Sequence, residues 1–197
     1  MEISIALAII AGILHIVAYS LYAFRSYRGL GEPNVITWSL WGLLTILNVT
    51  SYRMMSGDWV KTIQPLAGSF MCVLTSAVVI YRGSARFKKL SAIEWAAAII
   101  GLIAIVLWKA LHSPTIAQVL VLSAVGVGFI TTFKSVWENP SGEWKLPWFI
   151  WAAAFTFGLV AAVMRMKGWQ DLIYYIECLP LHLAVGLLAM RNIATKK

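Results

Sequence analysis

The chain has 197 residues, of which 60% are hydrophobic and only 12% charged, and its formal net charge at pH 7 is +8. This composition excludes an ordinary soluble domain, because so few charged side chains could not cover the remaining apolar surface. Nucleic-acid binding is also disfavoured, since no basic cluster lies within a soluble segment. We therefore expect an integral membrane protein whose Lys and Arg positions report its orientation.

Seven apolar runs follow one another along the chain, each long enough to cross a bilayer. A spanning helix needs about 20 predominantly apolar residues. Short links containing Gly, Pro and charged residues separate the runs, and such residues end helices. We predict helices over residues 3–24, 35–55, 60–81, 92–111, 115–133, 146–164 and 170–190.

Lys and Arg are divided unequally between the two sides that seven spans create. Five of the sixteen lie after the second, fourth and sixth helices, namely Arg53, Lys61, Lys109, Arg165 and Lys167. The other eleven are Arg25, Arg28, Arg82, Arg86, Lys88, Lys89, Lys134, Lys145, Arg191, Lys196 and Lys197. Because positive residues concentrate on the cytoplasmic side, we predict a cell-membrane protein with its N-terminus outside and its C-terminus in the cytoplasm.

Aromatic residues recur at an offset of 110 positions. Three pairs of Trp coincide at this offset, Trp38 with Trp148, Trp41 with Trp151 and Trp59 with Trp169. Chance would give about a fifth of one such match, so three indicate an internal repeat. Helices 1–3 then pair with helices 5–7, and the single unpaired helix 4 gives both triplets the same direction. We predict an all-α membrane protein with one three-helix repeat in residues 1–81, a linker with helix 4 in 82–113, and a second repeat in 114–197.

The passage GFITTFKSVW at residues 128–137, followed by PWFIW at 147–151, resembles the PQ-loop/SWEET (MtN3) transporter superfamily. In that superfamily the first helix of a repeat ends in a short cytoplasmic link with Lys-Ser, and the second helix opens on Pro or Trp. The three-plus-one-plus-three helix order extends the resemblance over the whole chain. The chain departs from the family at the proline of the PQ pair, where Ser20 and Ile130 stand, whereas Pro33 and Pro147 occupy the starts of helices 2 and 6.

The resemblance implies a transporter, working by uniport or proton coupling, of a small neutral or zwitterionic solute such as a sugar, an amino acid or a vitamin precursor. The alternative is a non-transporting receptor or scaffold on the same fold. We expect no enzyme, because catalytic triads, metal clusters and phosphate loops are absent from the sequence. We expect no cofactor and no metal. The expected partners are the solute and the lipid bilayer, and we expect no nucleic acid. The sequence leaves open whether the chain forms a homo-oligomer.

Polar and aromatic residues form a stripe on the predicted helix 2, where Trp38, Trp41, Thr45, Asn48 and Tyr52 are spaced 3, 4, 3 and 4 positions apart. This spacing places them on one helical face. Asn and Thr are not typical of a lipid-facing surface, so the face looks into the bundle. Lining of a cavity and hydrogen bonding between helices explain the stripe equally well.

Ionisable residues within apolar runs are the second signal, because burying them is costly and commonly functional. Helix 7 contains Glu177 and His182, and helix 1 contains His15. Each of these could instead be a satisfied packing residue. The candidate solute-binding residues are Tyr19, Trp41, Thr45, Asn48, Gln64, Cys72, Trp151, Cys178 and His182. The candidate proton-coupling residues are His15, Glu177 and His182.

Overall fold

A computed structural model describes residues 2–31, 33–83 and 89–191. The regular secondary structure in these ranges is helical throughout, and seven helical segments are long and apolar enough to cross a membrane. The helices are α1 (Ile3–Tyr27), α2 (Val35–Ser56), α3 (Trp59–Gly83), α4 (Ala92–Leu111), α5 (Pro114–Glu138), α6 (Lys145–Met164) and α7 (Ile173–Leu188). The predicted all-α chain with seven potential spans is confirmed.

Most helix starts coincide with a capping residue in the sequence. The side chain of Asn34 accepts hydrogen bonds from the backbone N–H groups of Ile36 and Thr37 at the start of α2. Ser91 and Glu94 form a capping box at the start of α4. These side chains satisfy backbone donors that have no partner inside the helix. The predicted starts of α1 to α6 are accurate to within one residue, including those of α1 and α6, whose N-cap residues make no side-chain hydrogen bond.

Three predicted boundaries differ from the structure by three residues or more. Helix α1 ends at Tyr27, three residues beyond the predicted end at 24. Helix α5 continues to Glu138, five residues beyond the predicted end at 133. No helix breaker occurs in that stretch, and the helix stops only before Pro140, whose ring cannot continue it. The predicted seventh helix begins instead with a short 3₁₀ turn, Trp169–Leu172, before α7 itself starts at Ile173.

Six helices, α1–α3 and α5–α7, surround the interior of the bundle, and α4 packs on its outside. Helix α3 packs against both α1 and α2, and α7 packs against both α5 and α6. The first group (α1–α3) meets the second group (α5–α7) through α1 against α6 and α2 against α5. Helix α4 packs mainly on α5 and less on α2. The interior between the two groups is therefore formed by six helices.

Glycines allow close approach at two points of this interior. A Cβ atom on Gly68 of α3 would lie 2.8 Å from Cδ2 of His15 on α1. A Cβ on Gly158 of α6 would overlap the side chain of Gln64 on α3. Small residues at helix crossings let backbones approach and let neighbouring side chains fit between them.

Four of the Lys and Arg residues on which the predicted orientation depends are not described by the structure. Arg86, Lys88, Lys196 and Lys197 lie outside the described residues. The linker between α3 and α4 is described only up to Gly83 and again from Lys89.

Candidate functional site

A cavity lies between the two groups of helices. Its volume is about 60 Å³, which is room for roughly four or five water molecules at about 10–15 Å³ each. Eight of the nine predicted solute-binding residues line it, namely Tyr19, Trp41, Thr45, Asn48, Cys72, Trp151, Cys178 and His182. His15 lines it as well. Both triplets contribute, so the cavity belongs to neither group alone. We call it the central cavity.

Two predicted site residues lie outside the lining. Gln64 is buried behind His15, with its Nε2 atom 3.2 Å from Nδ1 of His15. Glu177 is half-buried on the side of α7 that faces α5, where its Oε1 would lie 2.8 Å from a Cβ on Gly126. Gln64 therefore reaches the central cavity only through His15, and Glu177 faces a different helix interface.

Aromatic rings enclose His182 on one wall of the central cavity. The centroids of the Phe129, Trp148, Trp151 and Phe155 rings lie 4.8–5.6 Å from that of His182. The Nδ1 atom of His182 is 2.7 Å from the carbonyl oxygen of Cys178. A carbonyl can only accept, so Nδ1 carries the proton, and in the neutral ring Nε2 is an acceptor. His182 thus offers one acceptor within an otherwise apolar wall.

Two indole groups lining the central cavity lack hydrogen-bond acceptors within the described part of the chain. These are the Nε1–H groups of Trp41, which is 8% exposed, and Trp151, which is 1% exposed. A buried donor without an acceptor costs about 1–3 kcal/mol. The Nε1 atom of Trp41 lies against Gly128 of α5, 2.7 Å from the position of a Cβ there, so an acceptor oxygen of a solute would offset that cost only after the ring turns toward the cavity. Trp41 comes from α2 and Trp151 from α6, so such a solute would contact both groups.

The polar residues of the helix 2 stripe both line the central cavity and join helices. Gln118 on α5 donates through Nε2 to Oδ1 of Asn48 at 2.8 Å. Thr45 donates to Ser69 Oγ on α3 at 2.8 Å, and Ser69 donates to the Thr45 carbonyl at 2.9 Å. The two explanations of the stripe therefore coexist. Sequence reasoning missed Gln118, although an amide within the apolar run of residues 115–133 was a usable signal.

The lining of the central cavity contains no Asp, Glu, Lys or Arg among the described residues. An ionised group moved from water into such surroundings is strongly disfavoured unless a partner charge meets it. Histidine, hydroxyl, amide, thiol and indole groups instead suit a solute that is uncharged. The arrangement can bind and orient such a solute by stacking and by a few hydrogen bonds.

A buried ion pair lies at the end of the bundle where α3 begins. Lys61 Nζ is 2.8 Å from Asp171 Oδ2, and their side chains are 0% and 2% exposed. Tyr52 donates to the Asp171 carbonyl, and Tyr175 donates to the Lys61 carbonyl, both at 2.8 Å. Lys61 shares a helical stripe with Gln64, yet sequence reasoning placed it only among the outer charges. The pair joins α3 of the first group to the 3₁₀ turn, Trp169–Leu172, that precedes α7.

A second set of charges lies at the same end of the bundle as the Lys61–Asp171 pair. We call this end the ion-pair end. Arg165 donates through Nε to Asp58 at 2.8 Å and contacts Glu2 at 2.9 Å. Burial acts to raise the pKa of the Asp58 carboxyl, but hydrogen bonds from Arg165 and from the N–H groups of Val60 and Lys61 outweigh it, so that pKa is lowered. These contacts also connect the two groups.

Comparisons with protein-family models, with curated proteins and with solved structures gave no match to this chain. Within the described residues, no group of three or more His, Cys, Asp or Glu side chains is placed to hold a metal ion. The functional argument therefore depends on the geometry of the central cavity and of the two ends of the bundle.

Proposed function

We propose that this chain is an integral membrane transporter that moves a small solute through the central cavity between its two groups of helices. The solute is neutral or zwitterionic, of the size class of a sugar, an amino acid or a vitamin precursor. The observation that carries the proposal is the cavity itself, with buried indole donors on α2 and α6 and an acceptor on α7. The uncharged lining favours a neutral solute over a zwitterion.

The packing supports the proposed two-repeat arrangement. Helix α3 lies between its group's other two helices as α7 does in the second group, and the contact of α1 with α6 has its counterpart in α2 with α5. A two-fold axis along the bundle would produce this correspondence. It is also the arrangement implied by the resemblance to the PQ-loop/SWEET superfamily, whose membership we propose for this chain.

Internal prolines provide a basis for movement. Pro65 lies inside α3 and Pro180 inside α7, the two helices at the middle of their groups. A proline within a helix removes one backbone hydrogen bond and favours bending. Pro180 lies between Cys178 and His182, both of which line the central cavity. We propose that these prolines replace the absent family prolines as bending points, so that one group tilts against the other.

The direct test is counterflow in liposomes that contain the purified protein. Liposomes preloaded with a neutral solute should accumulate the labelled form of the same solute, and those preloaded with other compounds should not. We expect activity for an uncharged member of a panel of sugars, amino acids and uncharged vitamin precursors. Binding without counterflow for every member would instead support the alternative, a receptor or scaffold on the same fold.

The proposed orientation makes a separate prediction. A reporter fused to the C-terminus should be active only in the cytoplasm, because eleven of the sixteen Lys and Arg residues fall on that side. Two of the five on the opposite side, Lys61 and Arg165, form ion pairs with Asp171 and Asp58. A C-terminal reporter that is active outside the cell would overturn the orientation.

Proton coupling stays a prediction within this proposal. His15 and His182 line the central cavity and could exchange a proton with the solute, whereas Glu177 lies on the α5-facing side of α7. Any effect of Glu177 on transport would therefore act through the contact between α5 and α7.

A further inference from the structure

A second, smaller cavity lies at the end of the bundle opposite the ion-pair end. Its volume is about 20 Å³, which holds roughly one or two water molecules. Trp38, Trp41 and Trp148 line both this cavity and the central one. These three rings therefore separate the two cavities, and we call them the partition. Thr37, 2% exposed and without a partner for its hydroxyl in the described chain, also lines the smaller cavity.

The Glu143 carboxylate holds one member of the partition to the other group of helices. Its Oε1 accepts from Trp148 Nε1 at 3.1 Å and from the backbone N–H of Trp144 at 3.2 Å. Its Oε2 accepts from the hydroxyl of Tyr22 on α1 at 3.3 Å. Trp148 belongs to the second group and Tyr22 to the first. Glu143, in the link before α6, is thus the acceptor that both groups share at this end.

We propose that Glu143 is a proton-controlled latch that keeps the partition closed while it is ionised and lets it open once it is protonated. An ionised carboxylate accepts from both donors at once through charge-assisted bonds. A protonated carboxyl has a hydrogen on one oxygen, so it can no longer accept equally from Trp148 and Tyr22. The purpose of the latch rests on the proposed transport, but its existence can be tested without any solute.

The surroundings of Glu143 favour the protonated form of its carboxyl. Burial raises the pKa of the Glu143 carboxyl, and the hydrogen bonds from Trp148, Trp144 and Tyr22 only partly counteract this. Two titratable or charged side chains act on the pKa of this carboxyl, Tyr22 through its hydrogen bond and Arg25 through its charge, and both lie on α1. Arg25 also lies over the ring of Trp144 at 5.4 Å from its centroid. The positive charge of Arg25 acts to lower the pKa, but burial outweighs it.

The chain provides its own reporters for this test, because its two cysteines, Cys72 and Cys178, are free and both line the central cavity. N-ethylmaleimide labelling of the protein in liposomes, measured from neutral to mildly acidic pH, reports how readily a small molecule enters. Glu143→Gln keeps the shape but cannot ionise. The ratio of its labelling rate to that of the wild type cancels the pH dependence of the thiols themselves.

We expect Glu143→Gln to label roughly tenfold faster than the wild type at neutral pH, as the loss of a charge-assisted bond predicts, and the two rates to converge as the pH falls. Glu138→Gln, an exposed acid at the same end of the bundle, is the control and should match the wild type throughout. Tyr22→Phe removes one bond to an intact Glu143 and should also accelerate labelling at neutral pH. Equal labelling rates for Glu143→Gln and the wild type at every pH would overturn the latch. That result would not bear on the proposed transport, which the counterflow measurement tests separately.

Discussion

Lys61→Met should lower the free energy of unfolding by about 3–5 kcal/mol, the usual cost of removing one partner from a buried ion pair. The Asp171 carboxylate would stay buried without its cation, since both side chains are at most 2% exposed. Chemical denaturation in detergent, followed by helical signal, measures the loss. The hydrogen bonds of Tyr52 and Tyr175 at the same point would weaken with it, because they are made to the backbone carbonyls of Asp171 and Lys61 themselves.

The control for this prediction is Lys109→Met, which removes an exposed lysine at the same end of the bundle and should change stability little. The double variant Lys61→Met with Asp171→Asn removes both charges. The amide oxygen that replaces the carboxylate can still accept from the Lys167 N–H that now donates to Asp171. The double variant should therefore recover much of the loss. A single variant as stable as Lys109→Met would show that the pair is not closed in the folded protein.

Replacing both Trp41 and Trp151 with Phe should weaken solute binding by roughly 100-fold, about tenfold for each lost hydrogen bond. The same change should alter stability little, because the packing lost with the larger rings is offset by the removal of two unpaired donors. Both indole N–H groups are buried without an acceptor in the described chain, so removing them removes a desolvation cost. Counterflow of the panel solute that the wild type transports measures the first effect, and thermal unfolding in detergent measures the second.

Trp95→Phe is the matched control for the tryptophan prediction, because Trp95 is exposed on α4 and does not line the central cavity. It should alter neither property. Unchanged transport in the double variant would remove the two indole groups from the solute site. A large loss of stability together with transport would mean that the rings act mainly in packing.

The predicted stripe on helix 2 shows how much of the environment of one helix its sequence can predict. The spacing of Trp41, Thr45 and Asn48 places them on one face whatever surrounds the helix, and the structure places that face on the central cavity. The same spacing could not distinguish lining from hydrogen bonding between helices. The answer depends on Ser69 and Gln118, which other helices bring to the same depth.

Glu177 and Lys61 show which contacts the sequence of a single helix does not predict. Glu177 is a single charge within an apolar run, and its residue type alone marks it as unusual, whereas Lys61 lies at the start of its run and the sequence places it only among the outer charges. The structure pairs Lys61 with Asp171 across the two groups, while Glu177 faces Gly126. Neither arrangement follows from spacing along one helix, because each depends on how α3, α5 and α7 are rotated about their own axes.

By itself the sequence determined the number of helices, their approximate ends and the inward face of helix 2. The physical reason is local: about 20 apolar residues match the thickness of a bilayer, capping residues and prolines end helices, and the helical period assigns faces. Only the tertiary structure decided the central cavity, the Lys61–Asp171 pair and the position of Glu143 between Tyr22 and Trp148. These features bring together residues that lie far apart in the chain, which depends on the lateral order and rotation of six packed helices.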